Sequence, residues 1–544
     1  FYEKLKKLRQ EGRDSVWVDV VKSYLIPNAY FGQFDYVVGN PPWITLNKLS
    51  VSYQELVKPL VKDEYKLTTK SELITQIEMA TLFLVRALDL YLKDGGRLGF
   101  VMPRSIFSAD QHHNFRKGGV TVKFAVEKVV DAEGVSPLFY VPACAVVARK
   151  GGEVQYPITA VVLRGKLPED RHKTIALGEA LKYLTREDKR IHLSEIGGRS
   201  AWTYEELRVA KGRSYYYDYF KDGATVYPRP FFFVEIEGVG DDFVVVKPSK
   251  RTERREAKVK FDITQMPVEM RFLYGVLTSS EVVPFCHLLP AVVALPIEPR
   301  GSSYVLYTSK ELRTRGYPHM ANRMEKIEKL WEEYRGEKKE KMSICERLNY
   351  QNNLTAHNPA VRFRVVYNTS GTHLVAAVVE AGKKIISTPK GQIEISDIII
   401  DHTLYYYQTD MEDEAHYLAA VLNSSVLDQL VKPLQSRGEF GERHFHKKPL
   451  EFPIPKFNQA NDIHKQLADL GRKAREAACS SLERILKELD LYGKLKEKGY
   501  LMPQDVARLR EAIRRELAPV IQEIDDGVKR LLRVGNSNSL LNYL

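Results

Sequence analysis

The densest run of chemistry-bearing residues in the 544-residue chain is Asn40-Pro41-Pro42-Trp43, set within FDYVVGNPPWITL (34–46). Two consecutive prolines fix backbone dihedrals and remove two N–H donors. The local face is therefore rich in acceptors, among them the side-chain oxygen of Asn40 and the carbonyl of Pro41. An exocyclic amino group carries two hydrogens, and two such acceptors can hold both, which favours a tetrahedral, nucleophilic nitrogen. Trp43 adds a broad ring that can stack on a base plane. A rigid acceptor pair beside a stacking ring suits methyl transfer to an amino nitrogen. The same residues also read as a stiff Asn-Pro-Pro turn with Trp43 capping a core, and the tetrapeptide alone does not separate the two.

Such a site needs elements to hold it. Residues 15–150 read as alternating strands and helices: apolar runs at Val16–Val21 and Phe34–Val38, then a buried helix over roughly Ser71–Lys93. Thr69-Lys70-Ser71-Glu72 has the capping-box pattern for that helix, and Asp94-Gly95-Gly96 stops it. Arg97–Pro103 is the next strand. Val122–Val130 and Ala143–Lys150 could pair as the last strands of the sheet. Strand, crossover helix and strand imply a parallel α/β sheet with ligands at the carboxyl ends of its strands. The tetrapeptide follows such an end.

The length suggests about two to four domains. A hydrophobic content of 44% supports large cores. Apolar runs such as Leu374–Val379 are too short to span a bilayer, and no secretory signal is visible, so a cytoplasmic protein without a membrane partner is expected. Cys144, Cys286, Cys345 and Cys479 show no C-x-x-C spacing, which argues against a zinc cluster and a disulfide framework and favours a reducing compartment. A net charge of +12 favours a polyanionic partner, and 30 Tyr and 22 Phe supply flat faces for bases. From about 165 to 455 short β-rich stretches alternate with aromatic clusters such as SYYYDYF (214–220). Arg323–Met342 reads as a solvated, charged helix. From about 460 to 535 the pattern is helical, with a break near Gly499–Asp505.

FDYVVGNPPW resembles the catalytic motif of amino-group DNA methyltransferases of the adenine-N6 family, whose pattern is Asn/Asp-Pro-Pro-aromatic at the end of the fourth sheet strand. The helix, Gly-Gly turn and Pro103 strand follow in the family's order, and the likeness covers roughly residues 15–150. It implies a target base flipped out of double-stranded DNA and S-adenosylmethionine as methyl donor. Asn40 and the Pro41 carbonyl would accept from N6, with Pro42 stiffening the turn and Trp43 stacking on the adenine. The family more often carries Tyr or Phe at the fourth position. By the same resemblance Asp19, in WVDVV, is the candidate for the cofactor's adenine. Phe139, in PLFYVPACAVVARK, is the candidate second aromatic, with Tyr140 next. The family's Gly-containing cofactor loop is not found in the 18 residues before Asp19, so an upstream segment or separate subunit is expected to complete the cofactor site.

DEAHYLAAVLNS (413–424) and RHFHKKPLEFPIPKF (443–457) resemble the target-recognition part of fused type II-G and II-L restriction–modification methyltransferases and related phage-defence methylases. The expected architecture is thus the C-terminal part of a Rossmann-like methyltransferase sheet (1–165), an α+β recognition domain (166–457) and a helical C-terminal region (458–544). The DNA-binding candidates are Lys250, Arg251, Arg254 and Arg255 in one basic loop, and Arg437, Arg443, Lys447 and Lys448 in another. His444 and His446 lack a third ligand in spacing, so phosphate contact is preferred to a metal. No carboxylate-carboxylate-x-lysine pattern of a nuclease stands out. Two other readings stay open: a methyltransferase acting on cytosine N4, RNA guanine or protein glutamine, and a DNA-specificity subunit with an incomplete catalytic fold.

Overall fold

The structure is a computed structural model that describes residues 2–12, 27–168, 174–207, 209–210, 212–252, 262–338, 341–388, 390–435, 437–438, 441–442 and 444–534. The chain divides into two compact units, one made of 1–207 with 432–443, the other of 208–431 with 444–544. Among the described residues no helix is long and apolar enough to cross a membrane.

The first unit is built on a seven-stranded mixed sheet. Its strands are β1 (Phe34–Gly39), β2 (Leu92–Pro103), β3 (Phe124–Ser136), β4 (Ala143–Lys150), β5 (Ile158–Lys166), β6 (Leu184–Ile196) and β7 (Arg199–Thr203), in the order β1-β2-β4-β3-β5-β6-β7. β1 and β2 are parallel, with Gly39 opposite Phe100. Its longer helices are α1 (Tyr2–Gln10), α2 (Val51–Pro59) and α3 (Met79–Leu90), and α3 provides the crossover that parallel neighbours require. Eight of its twelve residues are buried, which accounts for its nearly uniform apolar sequence. β3 and β4 do pair, antiparallel, so the sheet is mixed rather than wholly parallel.

Two local expectations are corrected. Residues Ser71–Gln76 form a 3-10 turn, and the α-helix starts only at Met79 without a side-chain cap. The capping pattern at Thr69 precedes a turn whose N-cap, Lys70, makes no side-chain capping bond. Nor does the sheet end near residue 165. β6 pairs along the whole of β5 from Ile158 to Gly165, and β7 then pairs with β6, which carries the first unit to Leu207.

The second unit holds several small sheets around an aromatic and aliphatic core. Its largest sheet sets Phe363–Asn368 between Ala376–Glu380 and Leu404–Thr409, all antiparallel. Pro318–Lys338 is a helix, but not a fully solvated one. Met320, Met324, Ile327 and Trp331 recur at helical spacing and are buried. Charged neighbours hide that stripe in the sequence. Arg364, on the central strand of the largest sheet, forms a buried pair with Asp397 at 2.7 Å, and the Tyr304 hydroxyl donates to Asp397 at 2.6 Å.

The C-terminal helices complete this unit: α4 (Glu412–Asn423), α5 (Asp462–Glu488), α6 (Pro503–Glu516) and α7 (Ala518–Leu532). The break expected near Gly499 is a left-handed Gly499 closing the short helix Tyr492–Lys498, with Pro503 opening α6. Cys286 and Cys479 are joined in a disulfide across 193 residues. This corrects the expectation of unpaired cysteines, because so distant a pair leaves no spacing signal. Cys144 and Cys345 are free.

α4 and α5 meet backbone to backbone. A Cβ on Gly471 would lie 2.2 Å from the His416 carbonyl oxygen. Gly471→Ala should force the helices apart and lower unfolding stability by about 1–3 kcal/mol, read as a reduced urea midpoint. An unchanged midpoint would show that the approach is not tight.

Candidate active site

Asn40 leaves β1 immediately after Gly39. A Cβ at Gly39 would come 3.2 Å from the Phe100 ring, so glycine lets the strand pass close over β2 before the chain turns. Pro41 is buried while Asn40 and Pro42 are exposed, so the amide stands out on a fixed base. Beyond the prolines the chain is clamped. The Met79 N–H donates to the Ile44 carbonyl at 2.8 Å, and the Leu46 N–H to the Ile77 carbonyl at 2.9 Å. The half-buried Trp43 donates its indole N–H to the Val101 carbonyl of β2 at 3.3 Å.

Phe139 lies against Trp43, with ring centroids 4.9 Å apart and planes inclined by 50°. The two rings form a corner, not a parallel slot. Phe139 belongs to the turn between β3 and β4, which is tethered by the Arg104 N–H donating to the Pro142 carbonyl at 2.8 Å. Tyr140 is more exposed than Phe139.

A polar network that the sequence reading missed stands at the same end of the sheet. Arg104, the residue after β2, pairs with Asp131 at 2.9 Å and with Glu133 at 3.0 Å, and its guanidinium lies 4.3 Å from the Phe107 ring centroid. The Tyr204 hydroxyl donates to Asp131 at 2.5 Å. Burial raises the Asp131 pKa, but facing Arg104 and Tyr204 outweighs it and holds the carboxyl below its usual range. A second cluster joins Glu78, Ser105 and His112. The Ser105 hydroxyl donates to Glu78 at 2.7 Å, and the His112 Nε2 lies 3.5 Å from the same carboxylate. Burial pushes the Cys144 thiol up, which leaves it an inert neighbour. The available signal for the first network was a charged residue directly after a strand-ending proline.

At the outer side of this site β1 is the edge strand among the described residues. Tyr36 and Val38 are 69% and 82% exposed, an unusual state for apolar residues of a parallel strand.

The other candidates are scattered. Asp19, Arg254, Arg255 and Arg443 lie outside the described residues, and of Arg437 only the backbone is described. Lys250 is exposed. Arg251 is not available for DNA, because it pairs with Glu281 at 2.6 Å and its side chain is 12% exposed. Lys448 is likewise corrected, being 4% exposed in a segment packed into the second unit. Lys447 is half-buried and donates to the Tyr217 carbonyl at 2.9 Å. The rings of His444 and His446 stack at 5.1 Å. Among the described residues no group of three or more metal-ligating side chains occurs.

Residues 4–139 match the protein family described as Eco57I restriction-modification methylase. That segment contains β1, the tetrapeptide, α3, β2, β3 and Phe139. No curated protein sequence matches the chain. Similar solved structures include the Type IIL restriction-modification enzyme MmeI in complex with DNA, at 11% identity and a TM-score of 0.48, covering 93% of this chain and 55% of that one. A DrdV–DNA complex aligns at 11% identity and a TM-score of 0.32, covering 93% and 57%. The type IIG restriction endonuclease BpuSI aligns at 14% identity and a TM-score of 0.26, covering 93% and 55%. The chain thus spans just over half the length of these proteins.

A carboxylate whose folded-state pKa is depressed stabilises the fold above its unfolded value of about 3.9, and that contribution disappears as pH falls through the folded value. Asp131→Asn should therefore lower stability near pH 7 by about 2 kcal/mol, because the buried Arg104 guanidinium keeps Glu133 as its one remaining carboxylate of the pair. Urea unfolding repeated at about pH 3 should show a smaller gap from wild type. A gap independent of pH would sink the ion-pair account.

Proposed function

We propose that this chain is the base-binding and target-recognition part of a site-specific DNA methyltransferase acting on adenine N6, within a restriction–modification or phage-defence system. The observation that carries the reading is the exposed Asn40 amide, held at the carboxyl end of a parallel strand on two buttressing prolines, beside the Trp43–Phe139 corner. The family match over residues 4–139 supports it.

In this reading a flipped adenine lays one face on Trp43 and meets Phe139 at its edge. Asn40 Oδ1 and the Pro41 carbonyl accept the two N6 hydrogens. That geometry directs the nitrogen lone pair out of the ring plane, toward an electrophile. Adenine is preferred to cytosine because Asn, rather than Ser, leads the tetrapeptide. Duplex DNA is preferred to RNA or protein because a large, basic second unit follows the catalytic segment. Lys250 and Lys447, with Arg254, Arg255, Arg437 and Arg443, remain the proposed phosphate contacts.

S-adenosylmethionine supplies an electrophilic methyl group when bound. The carboxylates described around the tetrapeptide do not fit its ribose or amino group, since Asp131 is held by Arg104 and Tyr204, and Glu78 by Ser105 and His112. No methyl-donor step is therefore assigned to them. Asp19 stays the proposed cofactor contact. That misfit keeps a second reading alive, a DNA-specificity subunit with an incomplete catalytic fold. Calorimetry with S-adenosylmethionine separates the two, because tight binding by the chain excludes the second.

In a methylating preparation, Asn40→Ala should lower N6-methyladenine formation by roughly 10²-fold, the scale of losing one transition-state hydrogen bond, with duplex binding retained. Radiolabelled methyl transfer and nucleoside analysis measure the first, and a filter-binding titration the second. Methylation at the wild-type rate would overturn the assignment.

A further inference from the structure

Within the second unit, Ser214–Phe220 forms a tyrosine surface whose construction is unusual for a folding element. The Ser214 hydroxyl accepts from the Tyr216 N–H at 3.1 Å, which caps the turn Tyr215–Tyr217. The Ser214 N–H donates to the Leu450 carbonyl at 3.0 Å, and the Tyr215 N–H to the Ile454 carbonyl at 2.9 Å. Tyr216 is the anchor. It is fully buried, donates its hydroxyl to Glu414 at 2.9 Å and accepts from the Phe457 N–H at 2.8 Å. Phe220 is a second anchor, buried against Tyr367 and Tyr407.

The intervening rings face outward. Tyr215 and Tyr219 are 40% and 51% exposed and stack on each other at 5.0 Å. Cations accompany the exposed Tyr215 and the half-buried Tyr217 of the capped turn. The Lys456 ammonium lies 5.3 Å from the Tyr215 centroid, while Arg213 and Lys447 lie 4.0 and 5.1 Å from the Tyr217 centroid. Of the nearby carboxylates, Glu414 and Glu451 are buried, Glu451 pairs with Arg213 at 2.9 Å, and Asp218 is exposed. With Arg213 spent on Glu451, Lys456 and Lys447 stand against Asp218, and the outward surface carries a small excess of positive charge.

We propose that Tyr215, Tyr219, Lys456 and the Tyr217-bound Lys447 form a contact surface for the DNA sugar–phosphate backbone. The proposal rests on the DNA reading above and names where in this unit DNA is held. The chemistry favours a phosphodiester chain over an apolar peptide. The exposed rings carry hydroxyls that donate to phosphate oxygens, the cations neutralise those phosphates, and the outer ring faces take deoxyribose or a base. Because the anchors hold the turn rigid, the rings are presented without an ordering cost on binding.

The test is fluorescence anisotropy of the full chain with a labelled duplex of about 30 base pairs over a salt series, since phosphate contacts set the salt slope. Tyr215→Ala/Tyr219→Ala should weaken binding roughly tenfold at constant salt. Lys456→Ala, at an exposed position where folding is not at stake, should reduce the log–log salt slope by about one. If both variants keep the wild-type Kd and slope while wild type binds DNA, the surface is wrong and the parent reading stands. If wild type binds no duplex, the parent reading fails and the surface with it.

Discussion

The parallel pairing of β1 with β2 is the constraint on which the candidate active site depends. It sets Gly39 opposite Phe100 and so determines where the chain leaves the sheet. The segment after that point is held by main-chain bonds and by one indole N–H. Trp43 hangs on the Val101 carbonyl, and the Ile44–Leu46 segment bonds to Ile77–Met79 just before α3. The crossover helix thus serves the site twice. It makes the parallel pairing possible, and its entry clamps the segment that follows the prolines.

A second support acts on the opposite ring. Phe139 sits on a turn with little regular structure of its own, yet that turn is tied to Arg104, whose side chain is locked by Asp131 and Glu133. A buried ion pair of this kind contributes little net stability, because desolvation offsets most of the attraction. What it does supply is directional: the guanidinium has few other arrangements that satisfy both carboxylates. Positioning an aromatic ring within reach of Trp43 is a task for which such rigidity matters more than free energy.

Much of this was legible in the sequence because it is local. The Phe34–Val38 strand, the apolar helix and the strand ending at Pro103 each follow from short-range pattern, and so does the tetrapeptide at a strand end. What was not legible depends on distant partners. The Cys286–Cys479 bridge joins residues 193 apart, and Asp131 acquires its role only by meeting Arg104 and Tyr204. The helix start was misjudged for a related reason, since the hydroxyl–carboxylate spacing at Thr69–Glu72 is compatible with a 3-10 turn as well as an α-helix.

The basic residues teach the sharpest version of that point. Lys250 and Arg251 are sequence neighbours with equal formal charge, yet one ammonium faces solvent while the other cation is spent on Glu281. Lys447 and Lys448 divide in the same way, the first reaching Tyr217 and the second buried. Counting charges in a run therefore overstates a phosphate-binding surface by the fraction already paired or covered. The tyrosines of 214–220 show the converse. Alternation of buried Tyr216 and Phe220 with outward Tyr215 and Tyr219 turns an apparently uniform aromatic cluster into an anchor on one side and a presented surface on the other. The proposed polyanion contact depends on which cations the fold leaves beside exposed rings, and Lys456, in no charge run at all, is one of them.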